Sequence, residues 1–499
     1  MPLQCNRKIP VWVLVTVPWL HCVLLHAQST DTLLRGAASC AASGCHGGPR
    51  AAVAVLDAPR GSEYPLWLER DPHAQSWRTI NSPASLQILE KLGIMRNGQI
   101  VDQAQFANCL ACHNTDTETT SGLSLPMIAE GVGCEACHGP SAHWYDSHFR
   151  GPDDVQRARD ELGLRHTKPL VGRAEMCARC HVGAEDRDMN HDIIAAGHPA
   201  LYFDMAVYHE RLPKHWRDDE RSASQFRSQL WFAGQIAKLR AELELIEARA
   251  TETLTVSCWP ELSQYQCSSC HNQLDGQTPR LLSEAQVLTP VTLAGLGKAP
   301  TRLWNLGGWQ VIDDALRQPG KTTSLEKSMV SLQDSLPDTR LSPVQIVERS
   351  REAIDRLDSV LHSVSSEQRV NEWTLDQHRQ WTITQLRQAL NDGEWEQATL
   401  GYVAAWALIP SFDSDELRAS LETMRSGLVF ANRSQSPILP LKSDATFQKD
   451  KDLSTHAAPP KHAAQPKQVT QPKQAAQPTQ AEWRSAVETV IALIDRSEP

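Results

Sequence analysis

The stretch CEACHGPSAHW, Cys134 to Trp144, sets two cysteines three positions apart, a histidine directly after the second, and another histidine five residues further on. Two thiols and two imidazoles in one short loop fit three chemistries: a zinc site, a redox dithiol, or a covalently held haem whose loop also carries a ligand for elsewhere. The remaining cysteines decide between them. Of the 13 in the chain, ten fall into five pairs, each followed at once by histidine. The pairs are CAASGCH (Cys40, Cys45, His46), CLACH (Cys109, Cys112, His113), CEACH (Cys134, Cys137, His138), CARCH (Cys177, Cys180, His181) and CSSCH (Cys267, Cys270, His271).

C-x-x-C-H is the attachment signature of c-type haem. Each thiol adds to one vinyl group, which clamps the ring edge at two points, and the histidine that follows binds the iron from one face. Zinc ribbons use paired cysteines but do not require a histidine after each pair. Structural disulfides would suit an exported chain, yet they leave the repeated histidine unexplained. With 19 histidines in 499 residues, five pairs would all be followed by histidine by chance in roughly one such chain in ten million. The spacing therefore predicts five covalent haems c. CAASGCH, with two extra residues between its thiols, is included by the company it keeps.

An electron carrier usually gives its iron two strong axial ligands. Candidate second ligands lie close by: His73, His143, His191, His198, His209 and His215. His143 follows His138 too closely for the chain to bend round the same ring, so the spacing assigns it to a neighbouring haem. His191 and His198 are seven apart, on one face if their segment is helical. His148 and His166 read as ordinary loop residues. No catalytic residue is nominated.

CEACHGPSAHW is similar to the C-x-x-C-H-G-P-x-x-x-H element of the multihaem cytochrome c family that includes the tetrahaem electron acceptor of hydroxylamine oxidoreductase, the cytochrome c-554 type. CARCHVGAEDRDMNHDIIAAGHP and WPELSQYQCSSCHNQL resemble other multihaem members of that superfamily. The resemblance covers roughly residues 36–275. It implies packed haem pairs, mostly bis-histidine iron, and periplasmic electron transfer. It also implies that His143 is a distal ligand to another haem, with His73, His191 and His198 in similar roles. The chain departs from the named relative in carrying five haem motifs rather than four.

Outside the motifs the chain reads as follows. Arg7 and Lys8 precede the apolar run Ile9–Leu25, and Ala27 offers a small residue for cleavage, so residues 1–27 read as a signal peptide and the protein as periplasmic or otherwise exported. Left uncleaved, the same run would associate the chain with a membrane. Residues 28–290 read as a multihaem cytochrome c domain, and 291–430 as a helical domain. A Pro/Gln-rich linker spans 431–480 and an amphipathic C-terminal helix 481–499. Within the first domain, Leu230, Ile236, Leu239, Leu243 and Ile246 mark one long helix. Trp483, Val487, Val490, Ile491 and Ile494 stripe the last one, and docking back onto the fold is its simplest role. Cys258 reads as a buried small hydrophobe. The fold class is mainly α with extensive loops, a multihaem-packed core and a C-terminal helical region.

The net charge of −10 speaks against nucleic acid as a partner, which wants a basic face. The expected function is electron transfer between redox partner proteins through closely packed haems. The alternative is an enzyme acting on a small nitrogen or sulfur compound at a five-coordinate haem. Pentahaem nitrite reductases carry as many haems, but many mark the catalytic one with C-x-x-C-K, which does not occur here.

Overall fold

The computed structural model describes residues 34–48, 61–115, 130–216, 223–253, 261–264, 308–316, 323–335, 342–362, 365–392, 395–409, 414–428 and 478–496. The predicted signal segment, Cys258, the fifth motif Cys267–His271 and nearly all of the Pro/Gln-rich stretch lie outside them. The described residues are mainly helical. Their paired strands are Met95–Arg96 and Gln99–Ile100, an antiparallel hairpin with Met95 opposite Ile100. No described helix is long and apolar enough to cross a membrane.

From residue 34 to 216 the helices are short and joined by loops, because each is fixed by local capping and by the motif it carries. Asp102 caps Gln103–His113, Asn190 caps His191–Ala196 and Asp204 caps Met205–Arg211, each side chain accepting a backbone N–H of the first turn. Three motifs end their helices: Gln103–His113, Cys134–His138 and Leu170–His181 close on the motif histidine. A helix places residues three and four apart on one face, so both thiols and the imidazole emerge together. CAASGCH differs. Its first cysteine ends a 3-10 turn, Ala37–Cys40, and the extra residues form an exposed turn that carries Cys45.

After His138 the chain reverses at Gly139, whose φ of 86° belongs to the left-handed region. A Cβ there would also stand 2.3 Å from the Gly163 carbonyl oxygen. Gly163 is held close because Arg165 N–H donates to the His138 carbonyl at 2.9 Å and its guanidinium to the Ala136 carbonyl at 2.6 Å. Gly139→Ala is therefore expected to cost at least roughly 1–3 kcal/mol from backbone strain alone. Thermal unfolding of Gly139→Ala against Gly151→Ala, where a Cβ meets open space, checks this. Equal melting of the two variants would contradict it.

Apolar clusters in the first part are small. Ala37, Trp67 and Ala74 form one and Leu89, Ile94 and Met95 another. The large core lies around the helix Ala223–Thr253, 31 residues and about 46 Å long. Its predicted stripe is buried, Leu230 through Ile246 being at most 2% exposed at the five stripe positions. Trp231, Phe232 and Ala233, off that stripe, are buried as well. Leu170–His181, Met205–Arg211, Trp309–Leu316 and Pro343–His362 all pack on this helix, so its middle has no solvent face. The same apolar cluster runs from Leu170, Val171, Ala174 and Ala178 on the fourth motif helix to Ala404 and Ala407.

A second cluster joins Leu375–Asp392, Trp395–Ala407, Asp415–Gly427 and the C-terminal helix Gln480–Arg496. Val487, Val490 and Ile494 are fully buried, and the Trp483 indole N–H donates to the Met424 carbonyl at 3.2 Å. Gly427 leaves the space that the Trp483 ring fills.

Candidate haem-ligand sites

The motif histidines stand in pairs with histidines distant in sequence. The ring centres of His46 and His148 are 6.2 Å apart, those of His113 and His198 6.3 Å, those of His138 and His215 6.3 Å, and those of His181 and His73 6.1 Å. These gaps lie at the wide end of ring–ring contact. A metal–imidazole bond is about 2.0 Å and the ring centre lies about 1.2 Å beyond the nitrogen, so two imidazoles on opposite faces of one metal sit about 6.4 Å apart. Among the described residues no three Cys, His, Asp or Glu side chains gather as a metal-ion cluster. The imidazoles come in twos instead, the pattern that axial ligation of a ring-bound iron requires.

Five of the eight rings also have Nδ1 engaged. Nδ1–H donates to an acceptor-only partner in His46 (Glu63 Oε2, 3.1 Å), His73 (Asp71 Oδ1, 2.9 Å), His113 (Ser76 carbonyl, 3.4 Å), His148 (Tyr145 carbonyl, 2.9 Å) and His198 (Pro199 carbonyl, 2.8 Å). The Pro213 backbone also hydrogen-bonds His215. In the five rings whose Nδ1 is engaged, the lone pair is on Nε2. Burial, reinforced by neighbouring imidazoles, lowers His138 and His181 to about 4. These rings are neutral at physiological pH, as a metal ligand must be. His73 is an exception in direction: burial opposes its charged form, but the bond to Asp71 and its charge outweigh burial and raise it.

Interplanar angles divide the pairs. The planes of His46 and His148 are nearly parallel, at 10°, whereas the other three pairs are crossed at 82°, 62° and 72°.

The thiols are close enough to link the sites. The Cys40 and Cys134 side chains hydrogen-bond each other, as do those of Cys112 and Cys180. That contact lowers Cys40 to about 7 and Cys180 to about 6 and raises their partners. Burial drives Cys137 up to about 11 and Cys177 to about 12. Buried Glu135, inside the third motif, ties the first and third together. Its carboxylate accepts from the Arg35, Gly36 and Ser141 backbone N–H groups at 2.8–3.1 Å. Glu130 does the same for Ala37 and Ala38. Together they hold the segment that leads into Cys40 against Cys134.

The other nominated histidines lie elsewhere. His143 is exposed on the turn after His138. His209 is buried beside Trp216 and Phe226, and its Nε2 accepts from Arg173 at 3.1 Å. His191 begins its helix with its backbone N–H on Glu261 at 2.8 Å. His148, read from sequence as a loop residue, is the ring opposite His46. No local signal marks it, because the two are linked only through the tertiary fold. Glu63 and Asp71 were also silent in the sequence.

Residues 40–139, which include the first three motifs, match the family described as cytochrome c554 and c-prime. No curated protein and no solved structure matches the chain. Taken with the motifs and the paired imidazoles, that match makes the chain similar, over residues 40–139, to the cytochrome c554 and c-prime family, a family of electron-transfer haem proteins.

Proposed function

We propose that the chain is an exported pentahaem cytochrome c that relays electrons between redox partner proteins through bis-histidine haems. The observation that carries this reading is the set of four imidazole pairs at 6.1–6.3 Å. Cys40 and Cys45 would hold the first haem between His46 and His148. Cys109 and Cys112 would hold the second between His113 and His198, and Cys134 and Cys137 the third between His138 and His215. Cys177 and Cys180 would hold the fourth between His181 and His73. Cys267, Cys270 and His271 would hold the fifth. His191 is the partner we assign to it, because Glu261, shortly before Cys267 in sequence, holds the start of the His191 helix.

Bound in these sites, haem c supplies one-electron chemistry at iron. The chain's own contribution is to fix both axial rings and to set the sites side by side. The Cys40–Cys134 and Cys112–Cys180 contacts support neighbouring first and third, and second and fourth, haems. Cys137 feels the charge of Cys180, which supports third beside fourth. The resulting order, first, third, fourth, second, is a continuous path. A histidine on each side of these four irons favours a carrier over an enzyme, because reduction then needs no ligand exchange.

Residues 1–27 support export, and the same segment left uncleaved would tether the protein to a membrane. The mature protein is expected to gain the mass of five haems and, when reduced, to bind little carbon monoxide. A gain of four would remove CAASGCH from the haem sites. Stoichiometric carbon monoxide binding at one haem, with turnover of nitrite or hydroxylamine there, would replace the carrier by the enzyme.

A further inference from the structure

Glu63 and Asp71 stand at opposite ends of one helix, Glu63–Arg70, the first as its opening residue and the second as its C-cap. The helix is about 12 Å long and is pinned at its middle by Trp67, buried, with its indole N–H on the Val132 carbonyl at 3.1 Å. At one end Glu63 takes the Nδ1–H of His46, and at the other Asp71 takes that of His73. One short helix thus presents a carboxylate to an axial ligand of two different haems, the first and the fourth. The recorded Nδ1 partners of His113, His148 and His198 are neutral backbone carbonyls.

We propose that Glu63 and Asp71 are positioning residues that hold the first and fourth haems at lower reduction potential than they would have with neutral hydrogen-bond partners. This rests on the ligation reading above. An ionised carboxylate on Nδ1–H makes the imidazole a stronger donor and places a negative charge near the iron, and both favour the ferric state. A carbonyl accepts the same bond without the charge. Asp71 is the stronger of the two. Its side chain is 6% exposed against 22% for Glu63, so water screens its charge less. Each carboxylate also accepts a backbone N–H at 2.9 Å, Glu63 from Gly61 and Asp71 from His73; only the second bond ties the carboxylate to the ring's own residue.

The test is Asp71→Asn and Glu63→Gln in the fully haem-loaded protein, each of which keeps an oxygen acceptor and removes the charge. At fixed neutral pH, Asp71→Asn is expected to raise the ferrous-to-ferric ratio of one haem about tenfold at its wild-type midpoint, a shift of about 59 mV for a one-electron couple. Glu63→Gln should raise a different haem by less. Haem content and low-spin character should not change. Unaltered midpoints in both variants would overturn the proposal. If Asp71→Asn fails to load haem, Glu63→Gln alone decides. His73→Ala separates the two readings. If it leaves all haems low-spin, the ligation reading is wrong. If it yields one high-spin haem while the carboxylate variants leave every midpoint in place, only the tuning is wrong.

Discussion

His148→Ala is expected to convert one low-spin haem to high-spin while every haem stays covalently attached. In the proposed assignment the thioethers at this site are made by Cys40 and Cys45, which the substitution does not touch. What is lost is the ring opposite His46 at 6.2 Å. The low-spin signal that disappears from the paramagnetic resonance spectrum should be the rhombic one, because the two ring planes are parallel to within 10°. The crossed pairs give the more anisotropic signals and should survive. His143→Ala, five residues away on the same turn, should leave the spectrum as it is. The reverse result, with His143 needed and His148 dispensable, would return the ligand to the position that the family motif implies and remove the geometric assignment.

Trp483→Ala is expected to destabilise the protein by about 3–5 kcal/mol, the usual cost of deleting a buried tryptophan. The ring is 4% exposed, fills the space above Gly427 and donates to the Met424 carbonyl. Its removal leaves a cavity and one hydrogen bond fewer, while the Met424 carbonyl keeps the Leu428 N–H at 3.1 Å. Glu488→Ala, on the exposed side of the same helix, should stay within about 0.5 kcal/mol of the parent. Denaturant midpoints of the two variants make the comparison. A small effect of Trp483→Ala would mean that the C-terminal helix does not contribute its packing in solution.

The sequence showed the covalent half of each proposed site and little of the other half. Cysteine, cysteine and histidine lie within seven residues or fewer in every motif, so their chemistry is written locally. The second ligand is supplied by the fold. His73, His198 and His215 could be nominated because histidine is scarce and they lie near the motifs, but no spacing rule could say which iron each faces. His148 and His143 look alike in sequence, and only the turn after Trp144 directs one to His46 and exposes the other. The class of fold was legible in the helical periodicities. The stripe Leu230–Ile246 marked the long helix, but it could not show that Trp231 and Phe232 are buried too, which follows from packing on several sides. The striped face of the last helix was equally clear, while its seat against Met424 and Gly427 was not.

The fourth motif helix, Leu170–His181, shares its apolar cluster with residues as far along the chain as Ala407. This has a consequence for the order of events as the polypeptide emerges from its N-terminal end. Cys177, Cys180 and His181 become available long before the helices that bury Leu170, Ala174 and Ala178 exist. Until those helices arrive, the motif helix is a short isolated segment with no apolar surface to rest on, and segments of that length are not stable alone. In the proposed reading, haem attachment at this site can therefore precede the packing that rigidifies it. The attachment step would then act on a pliable segment, and the large non-local core would close over a cofactor already in place.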